Sequence, residues 1–356
     1  MKILFLADAL SYHTQRWINY FVRKGYFCFL ATLDRGLKTE ATEYLIPSPH
    51  LPNFLRYPLT LSRVRNLVNQ IQPDLINAHF IPSYGLLGAK LKFHPLAIST
   101  WGSDVLISPG KSYLHRKRAE YVLKRADLVT ADARFTAEKI HQLGVERDKI
   151  IQSPMGVDNS MLNPPNREKK SYWTIMSNRK LEPLYDMTTF IKAIPLVLSR
   201  TEREVRFTVL GNGSQKERLM SLAHRLKIES KVEFKGVVSR EMLLRFYQES
   251  DIYVSTSKSD STSVSLLEAM SFGSIPLVSD IPGNREWIEE GVNGFIFPTS
   301  DYKTLAERIV YLIDEFTDYA GIREKNRTLI QKKAVWENNM QVIEDGFQTL
   351  VNRKKN

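Results

Sequence analysis

Short runs of consecutive apolar residues alternate along this chain with stretches whose apolar positions recur every three to four residues. Lys2–Ala7 (KILFLA), Phe27–Thr32, Leu75–Ala78, Leu96–Ser99 and Leu128–Ala131 read as buried strands. Helical patterns lie between several of them, the first over Thr14–Lys24. Strands without polar alternation belong in parallel sheets covered by helices on both faces. The pattern breaks at Asn163-Pro164-Pro165-Asn166 and the Arg-Glu-Lys-Lys behind it, which reads as a polar linker. It then restarts. Trp173–Met176, Arg206–Leu210, Lys231–Phe234, Ile252–Ser255 and Pro276–Ser279 are predicted strands, with helices near 214–227, 239–249 and 263–272. The clearest helix runs from Asp186 to Arg200. There Met187, Phe190, Ile191, Ile194, Val197 and Leu198 share one face and Asp186 stands at the N-cap position.

Two successive α/β series predict two Rossmann-like domains, 1–165 and 166–335, facing each other across a cleft. Ligands of such sheets bind at the carboxyl ends of the strands. The 356 residues suit two cores better than one. A hydrophobic share of 43% with 25% charged residues excludes extended disorder. The single cysteine, Cys28, excludes internal disulfides and a cysteine zinc site, and fits a reducing compartment. No stretch approaches the roughly 18 apolar residues of a membrane span. The opening MKILFLADALSYHTQRW has neither the apolar length nor the cleavage site of a signal peptide. The expectation is a cytoplasmic, soluble protein.

Charge changes the picture. The net formal charge is +11. Residues 1–165 hold 21 basic and 13 acidic residues, a net of +8, against 29 and 26 in the remainder. Part of the excess sits in Tyr113–Arg125 (YLHRKRAEYVLKR). Nucleic acid, an anionic membrane and an anionic small molecule could each answer that charge. A nucleic-acid module is missing from the sequence.

The most informative segment is Ser257–Gly273, SKSDSTSVSLLEAMSFG. A strand ends in a hydroxyl-rich turn, and a helix opens around Ser263, Val264 and Ser265. Its first N–H groups lack intrahelical partners and suit phosphate. Glu268 lies one turn in, between Leu266, Leu267, Ala269 and Met270. A carboxylate there needs a partner, either ligand hydroxyls or a basic side chain.

Asp260-x7-Glu268 followed by Ala-Met-x-x-Gly resembles the Glu-x7-Glu signature of retaining GT-B glycosyltransferases, specifically glycosyltransferase family 4 (group 1). The resemblance covers nearly the whole chain and is more specific in the second half. It implies that Glu268 binds the nucleotide ribose and Asp260 the donor sugar, with Asp one methylene shorter than the family's Glu. Gly211, in Val209-Leu210-Gly211-Asn212-Gly213, resembles the family's strand-then-glycine turn. Val237, in Phe234-x-Gly236-Val237-Val238, falls where backbone faces the base. Met155-Gly156-Val157-Asp158 is similar to the element preceding the interdomain linker. Asn284-Arg285-Glu286-Trp287 and Asn293-Gly294-Phe295 resemble a late, chiefly structural turn. The family's diphosphate-binding Arg matches Arg179, but Tyr185 stands where its Lys is expected. Lys180, beside Arg179, ranks below it as a phosphate ligand.

The first half is less family-like. His13-x-x-Arg16-Trp17 resembles the opening of one branch, which makes His13 an acceptor- or phosphate-side candidate. The stretch matching a family histidine that contacts the donor sugar is Ser99-Thr100-Trp101-Gly102-Ser103-Asp104, where Asp104 is the best substitute. His79, at the end of another strand, is a further candidate or a plain buried histidine.

The resemblance implies retaining transfer of a sugar from a UDP- or GDP-linked donor to a hydroxyl of a glycan or lipid-linked glycan in surface polysaccharide synthesis. It implies no metal and no cofactor, and a helix over Trp336–Val351, continuing to about 356, that crosses back to the first domain. Catalytic roles fall to Asp104, Asp260 and Arg179. The charge of the first half points to a peripheral position on an anionic membrane. A non-catalytic partner subunit of another transferase is the alternative.

Overall fold

The structure is a computed structural model that describes residues 1–48, 56–57, 59–165 and 170–355. Most of the basic end of the expected linker lies outside these residues. The chain divides into two compact units, Met1–Pro154 with Asn338–Asn356, and Met155–Glu337. The second unit starts at Met155, eleven residues before the anticipated start at 166. The reason is local packing. Val157 bridges to Val335, and Val157 and Met161 are buried with Met176, Leu266, Leu267 and Ile330.

In the first unit the chain runs β1 (Lys2–Leu6), α1 (Tyr12–Arg23), β2 (Phe27–Thr32), β3 (Thr42–Leu45), α2 (Leu61–Ile71), β4 (Leu75–His79) and α3 (Leu86–Leu91). It continues β5 (Leu96–Ser99), α4 (Ser103–Leu106), α5 (Tyr113–Leu123), β6 (Leu128–Ala131), α6 (Arg134–Gln142) and β7 (Ile150–Gln152). The seven strands pair in the order β3-β2-β1-β4-β5-β6-β7, all parallel. Ile3, Leu4, Phe5 and Leu6 are fully buried, each contributing about 2 kcal/mol of burial. Edge strands β3 and β7 escape sequence reading because they are short and β3 is mostly exposed. α1 starts at Ser11, whose side chain accepts from Thr14 N, and buries Trp17, Ile18 and Phe21.

The second unit holds β8 (Trp173–Asn178), α7 (Met187–Leu198), β9 (Val205–Leu210), α8 (Lys216–Arg225), β10 (Val232–Gly236), α9 (Arg240–Glu249) and β11 (Ile252–Ser255). It continues α10 (Val264–Ser271), β12 (Ile275–Ser279), α11 (Pro282–Arg285), β13 (Phe295–Phe297), α12 (Tyr302–Asp314) and α13 (Tyr319–Lys333). Its parallel sheet runs β10-β9-β8-β11-β12-β13. Both units are therefore Rossmann-like, with each sheet reversing direction beside its first strand. α7 presents the predicted apolar face, burying Phe190, Ile191, Ile194 and Val197. Asp186 does precede α7, but in a left-handed conformation (φ 44°) that turns its carboxylate from the helix N–H groups to the Thr189 and Ser300 hydroxyls. The last helix, α14 (Trp336–Lys355), leaves the second unit at Glu337 and completes the first. There Phe347 stacks on Phe21 at 5.4 Å, and Glu344 accepts from Tyr20 and Tyr26.

Candidate functional site

In the second unit, β8 ends at Asn178 and delivers Arg179 to the carboxyl edge of the sheet. Gly211, at the end of β9, lies against it. A Cβ on Gly211 would sit 2.2 Å from the Arg179 carbonyl oxygen, and its φ of 109° suits only glycine. From the other side, Ser263 caps α10 by accepting from Leu266 N at 3.3 Å. Arg179 Nη1 donates to Ser263 Oγ at 2.6 Å and Ser265 Oγ at 3.1 Å, while Nη2 pairs with Asp260. The Tyr253 hydroxyl meets Ser265 Oγ at 2.8 Å, and the Tyr185 ring lies 4.3 Å from the guanidinium carbon. Burial works against the Arg179 charge, but Asp260, Tyr253 and Tyr185 outweigh it and hold the pKa above its ordinary value. Burial raises the pKa of Tyr185, so at neutral pH it offers an uncharged hydroxyl. Arg179 Nε is buried and has no acceptor. The loop carrying Asp260 is held by α11: a Cβ on Gly283 would lie 2.2 Å from Ser261 O.

Glu268 is 6% exposed on α10 and finds the basic partner allowed from sequence: Arg240 Nη1, at 2.6 Å. Tyr247, whose hydroxyl accepts from Asn178 Nδ2 at 2.8 Å, lies beside the Glu268 carboxylate. Burial, then Glu268, pushes the Tyr247 pKa well above its usual value. Val237 is 80% exposed behind β10. Lys180 is exposed, and among the described residues no side-chain bond joins it to the Arg179 network. Asn293 bonds Trp287 O and Asn326, a brace inside the late turn. A surface pocket beside Glu182, Asp186, Gln215, Arg218 and Lys258 contains none of the predicted donor residues.

In the first unit the candidates gather at the carboxyl ends of β1, β4 and β5. Trp101 stacks on His13 at 5.6 Å and meets His79 edge-on at 5.3 Å, with Trp17 5.6 Å from His79. His79 is fully desolvated; burial lowers its pKa to about 3 and keeps it neutral. Its Nε2 faces Asn77 Oδ1 at 3.0 Å, since the Asn77 amide nitrogen is used on Ala97 O and Ser99 Oγ. Nε2 must then carry the proton, and Nδ1 is a buried acceptor without a donor. Asp104 is buried too, accepting from Trp101 N at 2.9 Å and Ile81 N at 3.0 Å. Burial raises its pKa to about 6, against the pull of those N–H groups. The bond to Ile81 holds the turn after His79, where Phe80 takes a positive φ of 66°. In this structure both Asp104 carboxylate oxygens are used to brace backbone.

The structure joins Arg179, Tyr185, Asp260, Ser263 and Ser265 in one network, Glu268 in a second, and His13, His79 and Asp104 around Trp101. Sequence reasoning missed Arg240, Tyr247, Tyr253, Trp17 and Trp101 as members. Two signals were legible: a tyrosine inside the buried strand Ile252–Ser255, and an arginine opening α9, where a cation opposes the helix dipole. Among the described residues no cluster of three or more His, Cys, Asp or Glu side chains could hold a metal ion.

Residues 161–331 match the family model described as glycosyl transferases group 1, and residues 2–133 the one described as glycosyl transferase 4-like. Over 267 residues the chain is 27% identical to WcaL of Escherichia coli K12, by its name a colanic acid biosynthesis glycosyltransferase. That match covers 69% of this chain and 63% of WcaL, a little under two thirds of the relative. It is also 27% identical to the lipopolysaccharide 1,6-galactosyltransferase of Salmonella typhimurium, over 76% of this chain and 74% of that one. Among solved structures, HepE of Anabaena in complex with UDP-glucose superposes with a TM-score of 0.81 at 19% identity, covering 98% of this chain and all of HepE.

Proposed function

The chain belongs to the group 1, glycosyltransferase 4-like family of GT-B glycosyltransferases, and on that premise we propose which chemistry each part of it performs. The second unit binds a UDP- or GDP-linked sugar. The observation that carries this reading is Arg179, a largely buried cation at the mouth of α10 whose Nη1 and Nη2 are engaged while its Nε lacks an acceptor. A diphosphate supplies the missing acceptor and the charge, and the first N–H groups of α10 lie alongside. Tyr185 adds a neutral donor where relatives use a lysine. Glu268 accepts from the ribose hydroxyls, and Asp260 faces the sugar.

The reaction is retaining transfer to a hydroxyl of a glycan or lipid-linked glycan. The acceptor oxygen forms the new bond to the anomeric carbon as the diphosphate leaves on the same face and takes the acceptor proton. Arg179 stabilises the leaving charge, an effect worth about 3 kcal/mol for one preorganised donor. No metal or cofactor enters this scheme. In the first unit, the Trp101 and His13 faces offer an apolar platform to a sugar ring, and His79 Nδ1 an acceptor for one hydroxyl. The names of the relatives support a place in surface polysaccharide or lipopolysaccharide synthesis. A panel of sugar nucleotides, assayed for released nucleoside diphosphate with lipid-linked acceptors, tests the reading. Neither binding nor turnover with any donor would favour the non-catalytic partner instead.

A lipid-linked acceptor requires the enzyme at a bilayer. No helix among the described residues is long and apolar enough to cross one. At the first turn of α5, Tyr113 and Leu114 are 72% and 74% exposed, beside Lys111, Arg116, Lys117 and Arg118. Two apolar side chains within a basic run match an anionic lipid surface. Sedimentation with phosphatidylglycerol-containing vesicles should be salt-sensitive and lost in Y113S/L114S, with turnover on a water-soluble acceptor unchanged. Equal binding to neutral vesicles would refute this contact.

A further inference from the structure

α9 opens with Arg240, and a cation at that end of a helix is placed at a cost against the dipole. The interactions that offset this cost lie outside the helix. Nη1 donates to Glu268 at 2.6 Å, while Nη2 reaches Asp158 at 3.2 Å and Met161 Sδ at 3.0 Å. Asp158 and Met161 belong to the stretch with which the second unit begins, and Ser271, on the same helix as Glu268, donates to Met161 O. The Tyr247 hydroxyl, itself fixed by Asn178, also lies beside the Glu268 carboxylate. One guanidinium therefore links a buried carboxylate to the opening segment of its unit.

We propose that Arg240 is the positioning residue for nucleotide recognition, holding Glu268 oriented for the ribose hydroxyls while Asp158 anchors the guanidinium. The proposal rests on Glu268 being the ribose ligand. A buried carboxylate stripped of its cation takes up a proton or turns away. Either change removes the charge-assisted bonds that two ribose hydroxyls would make to it. Arg240 acts through Glu268, so its loss should weaken ribose recognition and donor binding, with kcat at saturating donor little changed.

Calorimetric titration of the full chain with UDP, GDP and their 2′-deoxy forms tests this in wild type, Arg240→Met, Arg240→Lys and Glu268→Gln. Wild type should prefer the ribose form by about tenfold or more, the effect of one hydrogen bond to a charged group. Arg240→Met should abolish that preference and add nothing in combination with Glu268→Gln. Arg240→Lys should restore part of the preference. An Arg240→Met protein that keeps the ribose preference, while Glu268→Gln loses it, overturns the proposal and leaves the ribose reading standing. A Glu268→Gln protein that keeps the preference overturns the ribose reading itself, and this proposal with it. If Arg240→Met does not fold, Arg240→Gln, which is neutral and too short to reach Glu268 and Asp158 together, replaces it with the same expectations.

Discussion

The two units share a parallel-sheet plan but settle the polar groups of their candidate sites in different ways. In the second unit, Arg179 and Asp260, and Arg240 and Glu268, are opposite charges placed against each other. In the first, His79 and Asp104 are buried without an ionic partner, and burial pushes both toward their uncharged forms, to about 3 and about 6. A buried charge survives beside a counter-charge, whereas a lone titratable group gives way to desolvation. The difference matches the proposed division of labour. Paired charges can be shared with a diphosphate, and a neutral aromatic cluster suits the hydroxyl-rich face of a sugar.

The largest effect should come from breaking the charged side. Arg179→Ala is expected to lower kcat/KM by about 10²–10³-fold, the range for one preorganised donor. Arg179→Lys, which keeps the charge, should recover part of that loss. Near-normal rates in a folded Arg179→Ala protein would remove it from the site.

On the neutral side, Asp104→Asn leaves one of two backbone N–H groups facing an amide nitrogen, at a cost of about 1–3 kcal/mol. Because the Asp104 pKa rises from 3.8 to about 6 on folding, the stability it confers is full below about pH 4 and lost as pH climbs toward 6. Asp104→Asn should flatten that part of the pH profile of chemical denaturation. An unchanged profile would dissociate the effect from Asp104.

His79 has the reverse sign. Its pKa falls from 6.5 to about 3 on folding, so the first unit loses stability as pH drops below 6.5. His79→Phe removes the bond to Asn77, at about 1 kcal/mol near neutrality. Its deficit against wild type should shrink toward pH 4, when wild type must bury a chargeable ring. A deficit constant with pH would contradict the neutral assignment.

The smallest effect is expected from Asp260→Glu. The pair with Arg179 persists through the longer side chain, stability changes by less than about 1 kcal/mol, and donor-sugar preference shifts a few-fold. Identical preference across a donor panel would show that the missing methylene does not set sugar choice.

Much of this was legible beforehand. The strands Phe27–Thr32, Leu96–Ser99, Leu128–Ala131 and Ile252–Ser255 fall within the residues expected of them, because continuous apolar runs leave few alternatives to a covered parallel sheet. Ser263 caps its helix as read, since a serine ahead of Leu266 satisfies an N–H that nothing else reaches. Edge strands β3 and β7 were not legible, being too short to impose a period.

By itself, then, the sequence determined two α/β series, the cap of α10 and the local order of Asp260, Ser263 and Glu268, because all of these depend on neighbours within a few residues. Only tertiary structure decided the partners. Arg179 lies 81 positions from Asp260, Arg240 lies 28 from Glu268 and 82 from Asp158, and Asp104 lies 23 from the Ile81 N–H it braces. No periodicity encodes such pairings. They arise where parallel strands deliver their loops to one edge of a sheet, and where burial makes each charged group find a counterpart or shift toward its uncharged form.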